Sequence, residues 1–361
     1  MRLSLALALS TLLAGAACGD DSAAGPAADV PTTLFDADAG APEDATPPLD
    51  SAAQDSAASA DTLALPDTVT PADTVPPADT LPPADTVPPA DTVPPTDTAT
   101  PAPNPALAGP FAVTTEALTF DDFDATLHVP TGTGPFPGVV LAPGFQLGAA
   151  SFAQSASHLA SHGFVVAVPT FGDSAFAPYT HDALAEYVRD LLDTLAADPR
   201  VDATALGAGG HSRGGKVALL AATRDARVKA SFNLDPVDSG PPFTAPSADY
   251  PSVTPELMGA LTVPSGYLGS AKGASGLVAC APAAENYAEY AAHAAGPVFA
   301  RLLPGSGHND FADTLPGLVS LACAAGDDPA ATRAEARKLM TAFYLVHLAG
   351  DARLSIWLTS P

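Results

Sequence analysis

A serine flanked by glycines stands where a strand is predicted to turn sharply into a helix. Residues Gly210–Gly215 have the sequence Gly-His-Ser-Arg-Gly-Gly, which places Ser212 in a G-x-S-x-G pattern. An apolar run, Ala205–Gly209, precedes the pattern, and a helix-like run, Lys216–Ala222, follows it. Small residues permit a tight turn that exposes the hydroxyl, and the helix N-terminus beside it favours developing negative charge. The pattern predicts a nucleophilic serine; a glycine-rich turn with a surface serine is the alternative.

A serine is a weak nucleophile, so it needs a base, and the base needs an acid that orients it. Asp235 follows the predicted strand Val228–Leu234, and Pro236 marks the end of that strand. Asp238, three residues further on, is the alternative acid. The next predicted strand runs into residues 268–272, Leu-Gly-Ser-Ala-Lys, which contain no carboxylate. We therefore predict that Asp235 is the orienting acid.

The predicted base is His308, which lies in the glycine-rich stretch Gly305–Phe311 after an apolar run. A flexible loop at this place would let the imidazole reach over Ser212. Asp310 is expected to cap the following turn rather than to join the catalytic group. We expect the side chain of His211 to point away from the serine. Other histidines are expected on helix surfaces, in turns or within helical runs: His158, His162, His181, His293 and His347.

Ester or amide cleavage through a serine also needs two backbone donors for the oxyanion. One is predicted to be the N–H of Arg213, directly after the nucleophile. The other is predicted to be the N–H of Phe145, which follows Pro143-Gly144 at the end of an early strand. The ring of Phe145 would also line the pocket for the acyl group. An ordinary turn is the alternative interpretation of Pro143-Gly144.

The elements that must position these residues alternate between short apolar strands and helices. Such alternation predicts an α/β fold with a mostly parallel, doubly wound sheet and helices on both faces. The predicted strands are Val113–Phe120, Asp124–Val129, Pro137–Leu141, Phe164–Pro169, Ala205–Gly209, Val228–Leu234, Ser265–Gly269 and Val298–Leu303. The predicted helices are Ala150–Ser161, His181–Ala197, Arg213–Ala222 and Thr332–Leu348.

The N-terminus has the pattern of an export signal. Residues 1–17 contain a charged start, the apolar stretch Leu3–Leu13 and a group of small residues. That apolar stretch is too short to span a bilayer as a mature helix. Cys18 directly after the small residues resembles the lipobox of bacterial lipoproteins, which implies that Cys18 carries lipid. Ordinary cleavage after Ala16 or Ala17 is the alternative. We expect an exported protein of the bacterial cell envelope, on the outer membrane or cell surface.

Residues 18–110, called the stalk below, are predicted to be disordered. They are rich in Ala, Pro, Asp and Thr, and they carry sixteen acidic and no basic residues. Aspartate recurs every six residues from Asp61 to Asp97, clearest in the repeat Ala-Asp-Thr-Val-Pro-Pro of Ala72–Pro95. Paired prolines and like charges favour extended polyproline II over helix or sheet. We predict a spacer, with an adhesive segment as the alternative, and a single catalytic domain at 111–361.

Composition narrows the range of partners. The chain of 361 residues has a formal net charge of −26, and no basic patch is evident, so nucleic-acid binding is not expected. No paired His or Cys has the spacing of metal ligands, so neither a metal nor another cofactor is expected. We expect a monomer. If Cys18 is lipidated, Cys280 and Cys323 remain in an oxidising compartment and predict one disulfide, with two buried free thiols as the alternative.

Four segments, taken in order, resemble the chlorophyllase-like branch of the α/β-hydrolases. They are Gly210–Gly215, Leu234–Asp238, Cys280–Pro282 with Asn286-Tyr287, and Gly307–Phe311. The resemblance covers roughly residues 111–350 and implies Ser212, Asp235 and His308 as the triad. Cys280 and Cys323 also fall where that family has cysteines. Pro143-Gly144-Phe145 is more similar to the corresponding turn of bacterial cutinase-like polyester hydrolases than to the His-Gly-Phe of chlorophyllases.

These patterns together predict a secreted, lipid-anchored serine hydrolase of carboxylic esters. Its substrate would be a small or lipid-like ester, and its membrane contact would come from the lipid at Cys18. The segment Asp238–Leu261 is rich in Pro and Ser and is either a cap over the pocket or a passive loop. A non-catalytic surface protein on the same scaffold, used for adhesion or binding, is the alternative function.

Overall fold

The computed structural model describes residues 102–174, 176–240, 246–317 and 319–359. The predicted signal, Cys18 and residues 19–101 of the stalk lie outside these ranges. Within them, no helix is long and apolar enough to cross a membrane. Residues 102–110 are described, and Pro105 and Leu107 accept hydrogen bonds from His158 and His162, so the folded part begins before the predicted boundary at 111.

Eight strands form one sheet in the order β1-β2-β4-β3-β5-β6-β7-β8. The pairs β1–β2 and β2–β4 are antiparallel, and every other neighbouring pair is parallel. The sheet is therefore mostly parallel, as predicted. The strands are β1 (Val113–Thr119), β2 (Phe123–Pro130), β3 (Phe136–Ala142), β4 (Val165–Phe171), β5 (Val201–His211), β6 (Val228–Leu234), β7 (Ser265–Ser270) and β8 (Val298–Leu303).

Helices cover both faces of this sheet, which gives the predicted α/β architecture. Two helices that the sequence pattern did not single out as elements, α4 and α5, follow β7 and β8. The α-helices are α1 (Ala153–Ser161), α2 (His181–Ala197), α3 (Arg213–Arg224), α4 (Tyr287–His293), α5 (Val319–Ala322) and α6 (Pro329–His347). Short 3-10 helices occupy Ala149–Phe152, Met258–Ala260, Ala283–Glu285, His308–Phe311 and Ala352–Leu358.

The central strand β3 contains no polar side chain, because both of its faces are buried. In β3, Val140 and Ala142 pack into the core beneath α2 and α3, whereas Val139 and Leu141 pack into the core beneath α1 and α6. Consecutive side chains of a strand point to opposite faces, so a continuous apolar run is what a doubly covered sheet requires. The carboxyl ends of the parallel strands all meet at one edge of the sheet.

A tyrosine from α6 holds the middle of the sheet on one face. The buried hydroxyl of Tyr344 accepts a hydrogen bond of 3.1 Å from the backbone N–H of Phe232 in β6. A Cβ at Gly209 of β5 would lie 2.8 Å from that hydroxyl and 2.0 Å from the carbonyl oxygen of Phe232. Gly209 thus leaves room for the tyrosine and for the close approach of the neighbouring strand.

Replacing Tyr344 with phenylalanine should destabilise the domain. The substitution removes the buried hydrogen bond between the Tyr344 hydroxyl and the N–H of Phe232, and such a bond typically contributes about 0.5–1.5 kcal/mol. Urea unfolding followed by circular dichroism measures the loss. Tyr179→Phe is the matched control, because its hydroxyl makes only an exposed hydrogen bond of 3.5 Å. Equal stability of Tyr344→Phe and Tyr179→Phe would contradict the expectation.

Candidate active site

Ser212 occupies a strained turn between β5 and α3. Its backbone has φ 55° and ψ −125°, a conformation that a residue with a side chain rarely adopts. The turn brings the chain so close to β3 that a Cβ at Gly210 would lie 2.4 Å from the carbonyl oxygen of Ala142. A Cβ at Gly214 would lie 2.1 Å from the same oxygen. Both flanking glycines are therefore required by sterics, and the serine between them is lifted to the sheet edge, half-buried.

The structure brings Ser212, His308 and Asp235 together although they are far apart in the chain. The Ser212 Oγ atom lies 2.9 Å from Nε2 of His308, and Nδ1 of His308 lies 2.7 Å from Oδ2 of Asp235. Because an ionised carboxylate only accepts, Nδ1 carries a proton, and Nε2 of the neutral ring is free to accept from the serine hydroxyl. The side chains of His308 and Asp235 are 5% and 1% exposed.

Asp235 is held by the neighbouring strand β7. It has φ 44°, and its N–H donates to the carbonyl of Leu268 at 2.6 Å. The N–H of Ser270 donates to Oδ1 at 3.1 Å, and the hydroxyl of Ser270 donates to Oδ2. Both oxygens thus have donors besides the imidazole. The sequence prediction used this strand end only for its lack of a carboxylate and did not find Ser270, because a serine at a strand end carries no specific signal.

Asp238, the alternative acid, serves a different part of the molecule. Its carboxylate accepts from the N–H of Val253 at 2.9 Å and forms an ion pair with the buried Lys216 at 3.3 Å. The hydroxyl of Tyr290 donates to Oδ1 at 3.3 Å. Burial lowers the pKa of Lys216, and the charge of Asp238 opposes that shift. In this arrangement the carboxylate nearest to the imidazole is Asp235.

Asp238 also bears on the segment Asp238–Leu261, which the sequence left as either a cap or a passive loop. Residues 241–245 of that segment lie outside the described ranges. The described part is fixed to Asp238 through Ser252, Val253 and Thr254. The segment is thus anchored beside α3, and the choice between cap and loop stays open.

The two predicted oxyanion donors lie on either side of the serine turn. Arg213 is the first residue of α3, so its N–H has no acceptor within the helix. Phe145 lies in the turn after β3, and within the described residues its N–H donates to no protein acceptor. The next residue, Gln146, has φ 61°, and the N–H of Leu147 closes the turn on the carbonyl of Gly144 at 3.1 Å.

His211 supports the loop that carries His308. Its Nε2–H donates to the backbone carbonyl of His308 at 2.8 Å, and the two ring centroids are 4.8 Å apart. Burial lowers the pKa of His211 to about 3, so the ring stays neutral. A Cβ at Gly144 would lie 2.9 Å from Nδ1 of His211, which explains the glycine there. No role was predicted for His211, because its partner lies 97 residues further along the chain.

The rest of the His308 loop is fixed by its own backbone and by Asp310. The carboxylate of Asp310 accepts from the N–H groups of Gly307 at 2.7 Å and Gly326 at 3.3 Å, so it caps the turn. Of the other histidines, His158 and His162 at the end of α1 donate their Nε2–H groups to the backbone carbonyls of Pro105 and Leu107, each at 2.9 Å. The expectation of a surface or turn position is wrong for His181, which is fully buried at the start of α2.

Cys280 and Cys323 form a disulfide with an S–S distance of 2.12 Å, which confirms the predicted pairing. The bond joins two loops that flank the candidate site. On one side, the N–H of Ala281 donates to the carbonyl of Gly273 at 2.8 Å, behind Asp235. On the other, Asn309 next to His308 donates to the carbonyl of Val319 in α5 at 3.0 Å.

Comparison with known proteins agrees with this geometry. The chlorophyllase family model matches residues 122–353, which is most of the described chain. The chain belongs to the chlorophyllase family. The fold is accordingly that of the α/β-hydrolases, with Ser212 in the turn between the fifth strand and the following helix.

Relatives in and near the chlorophyllase family are 27–34% identical to this chain over the aligned stretches. Chlorophyllase-2 of Arabidopsis thaliana is 27% identical over 62% of this chain and 77% of its own length. Cutinase est1 of Thermobifida alba is 31% identical over 37% of this chain and 50% of its own. The bis(hydroxyethyl) terephthalate hydrolase of Streptomyces coelicolor is 34% identical over 36% and 44%. The chain thus spans about half the length of the cutinases that it matches.

The described part of the chain also contains residues of the types that could bind a metal ion. In the described ranges, no three His, Cys, Asp or Glu side chains are grouped so that they could hold a metal ion. The charged groups around Ser212 are paired with one another instead.

The neutral state of His211 has a consequence for stability. Its pKa is about 3 in the native state and 6.5 when unperturbed. Between these values the unfolded chain binds a proton that the native protein does not bind, so the free energy of unfolding should fall as pH decreases from 7 towards 3. His211→Gln keeps a donor for the His308 carbonyl but cannot titrate. Its stability should fall less steeply, by up to about 1.4 kcal/mol per pH unit.

Urea unfolding at a series of pH values tests this expectation. His293→Gln is the control, because His293 is exposed at the end of α4 and hydrogen-bonds its own helix. If the free energy of unfolding fell with decreasing pH equally steeply in the wild type and in His211→Gln, the expectation would be contradicted.

Proposed function

We propose that this protein is a serine hydrolase of carboxylic esters. The observation that carries the proposal is the continuous hydrogen-bonded chain from Ser212 Oγ through the imidazole of His308 to Asp235. Membership of the chlorophyllase family and the esterase relatives support it. A scaffold used only for adhesion would need neither the strained serine turn nor the buried acid behind the histidine.

The proposed reaction begins when Ser212 Oγ attacks the ester carbonyl carbon and its proton passes to Nε2 of His308. The carbonyl oxygen becomes an oxyanion that accepts from the N–H groups of Arg213 and Phe145. Asp235 stabilises the imidazolium that forms. The C–O bond of the ester then breaks, and the leaving alcohol takes the proton from Nε2. Water repeats the sequence on the acyl-enzyme, releases the acid and restores Ser212.

The substrate is proposed to be an uncharged ester with an apolar acyl group. The half-buried ring of Phe145 lies next to the proposed oxyanion donors and offers an apolar wall. The positive charge of the Arg213 side chain is already matched by Asp173, so it does not select an anionic substrate. Cutin, terephthalate and chlorophyll esters, which the names of the relatives indicate, are all candidates in this class.

We further propose that the protein is exported and held at the bacterial envelope by lipid on Cys18, with the stalk as spacer. The support is the sequence of residues 1–18 and the composition of the stalk. The monomeric state and the roles of Ser212, Asp235, His308, Phe145 and Arg213 belong to the same proposal.

A fluorophosphonate probe should label the wild-type protein on Ser212 and should not label Ser212→Ala. The reason is that only a serine activated by His308 reacts quickly with such a probe. Gel fluorescence and peptide mapping measure the labelling. Ser306→Ala is a matched control, because Ser306 is a buried serine that only hydrogen-bonds backbone groups. A folded wild-type protein that takes no label would refute the enzymatic function.

The choice of acid is tested by comparing Asp235→Asn with Asp238→Asn. Asp235→Asn should lower kcat on p-nitrophenyl butyrate by about 10⁴-fold, because the imidazole loses the partner that fixes its tautomer. Asp238→Asn should mainly lower the stability of the domain, since it leaves the buried Lys216 without its counter-ion. Kinetics and urea unfolding of both variants separate the two effects. A larger loss of kcat in Asp238→Asn would reverse the assignment.

Lipidation is tested by expressing the full chain in a bacterium with labelled palmitate. The wild type should incorporate the label and partition into the membrane fraction, whereas Cys18→Ser should do neither. Label in Cys18→Ser, or an unlabelled and soluble wild type, would contradict the proposed anchor.

A further inference from the structure

A buried ion pair lies directly beside the proposed oxyanion donors. The guanidinium of Arg213 binds the carboxylate of Asp173 through both of its terminal nitrogens, with Nη2 at 3.1 Å from Oδ1. The two side chains are 6% and 1% exposed. Asp173 also accepts from the N–H of Tyr179 at 3.3 Å. Neither side chain has a place in the proton transfer between Ser212 and His308.

The same guanidinium lies over two aromatic rings. Its central carbon is 5.0 Å from the ring centroid of Phe145 and 5.8 Å from that of Phe171. Phe171 ends β4 and Asp173 follows it closely, while Phe145 belongs to the turn after β3. The side chain of Arg213 thus joins three separate parts of the chain: the start of α3, the turn after β3 and the loop after β4.

The two proposed oxyanion donors belong to two of these parts. One is the N–H of Arg213 itself, and the other is the N–H of Phe145. An oxyanion is stabilised only if both donors lie about 2.7–3.1 Å from it, so the distance between the two backbones must be fixed. Within the turn after β3, the backbone bond of Leu147 to Gly144 closes the turn but does not tie it to α3. Gly214 of α3 packs against the residues before this turn, and the contact of Phe145 with the Arg213 side chain ties the turn itself to α3.

We infer that Arg213 is a positioning residue for the oxyanion hole as well as a donor to it. Its side chain, held by Asp173, fixes the turn that carries Phe145 at the distance from α3 that the transition state requires. Asp173 contributes by orienting the guanidinium and by matching its buried charge, which would otherwise be costly. This inference rests on the proposed function and adds two side-chain roles to it.

The central test is Arg213→Lys. Lysine keeps the backbone donor and the positive charge but loses the planar, two-pronged contact with Asp173 and the flat contact with Phe145. We expect kcat on p-nitrophenyl butyrate to fall by about 10- to 100-fold with KM within about threefold. The rate at which paraoxon phosphorylates Ser212 should fall in parallel. The acid limb of the pH profile, which reports His308, should stay in place.

Asp173→Asn and Phe145→Leu are the companion variants. Asp173→Asn keeps the shape of the acid and removes its charge, and Phe145→Leu removes the ring and keeps the backbone donor. Asp173→Asn should show the kinetic pattern of Arg213→Lys. Phe145→Leu should show the same losses of kcat and of the paraoxon rate, whereas its KM should rise as well, because the ring also forms a wall for the acyl group. If one of the three fails to fold, the other two still test the inference. In the double variant of Arg213→Lys with Asp173→Asn, the losses in kcat should be far from additive, because the two side chains act as one unit.

Arg227→Lys is the matched control. Arg227 forms a comparable pair with Asp225 just beyond the opposite end of α3, with Nη2 at 2.6 Å from Oδ2. Its replacement should leave kcat unchanged.

Three results would overturn the inference: unchanged kcat in folded Arg213→Lys and Asp173→Asn, a shift of the acid limb, or additive losses in the double variant. If the wild type itself takes no fluorophosphonate label, the proposed function fails and this inference falls with it. If the wild type is labelled and Arg213→Lys and Asp173→Asn are fully active, the positioning role is refuted and the proposed function stands.

Discussion

The candidate site depends on the close packing of the serine turn against the end of β3. The carbonyl oxygen of Ala142 lies where a side chain at either Gly210 or Gly214 would begin, so only hydrogen atoms fit. That contact keeps the turn tight and holds Ser212 at φ 55°. It also places the start of α3 next to the turn of Phe145. The position of Ser212 relative to Phe145 therefore depends on the neighbouring parallel strands β3 and β5 ending at the same edge of the sheet.

Burial of charge is the second organising feature. Around the serine turn, three carboxylates each have a basic partner: Asp235 with His308, Asp238 with Lys216, and Asp173 with Arg213. All six side chains are at most 6% exposed. Ions removed from water are tolerated only when they are paired and hydrogen-bonded, and removal of one partner is then strongly destabilising. The three pairs have different positions: one contacts Ser212, one anchors the segment at Val253 and one lies beside Phe145.

Much of the fold followed from patterns that are local in the chain. The strands β6 and β8 were predicted to the residue, because a short, mostly apolar run between turn signals has few other meanings. The assembly of Ser212, Asp235 and His308 also followed, since chain order and strand ends constrain it. The residues that hold these three side chains in place could not be predicted from the sequence. Ser270, His211 and Asp173 act through contacts between distant loops, and no periodicity marks them. His181 was misplaced because its polar ring at a helix start gave no sign of burial.

The disulfide between Cys280 and Cys323 links the two sides of the candidate site covalently. It joins the loop behind Asp235 to the helix that contacts the loop of His308, so the two sides are tied covalently as well as by hydrogen bonds. Thiols pair in oxidising compartments and stay reduced in the bacterial cytoplasm. The link between Cys280 and Cys323 therefore forms only where the surroundings are oxidising. Covalent closure of the site is thereby coupled to the redox state of the compartment that holds the domain.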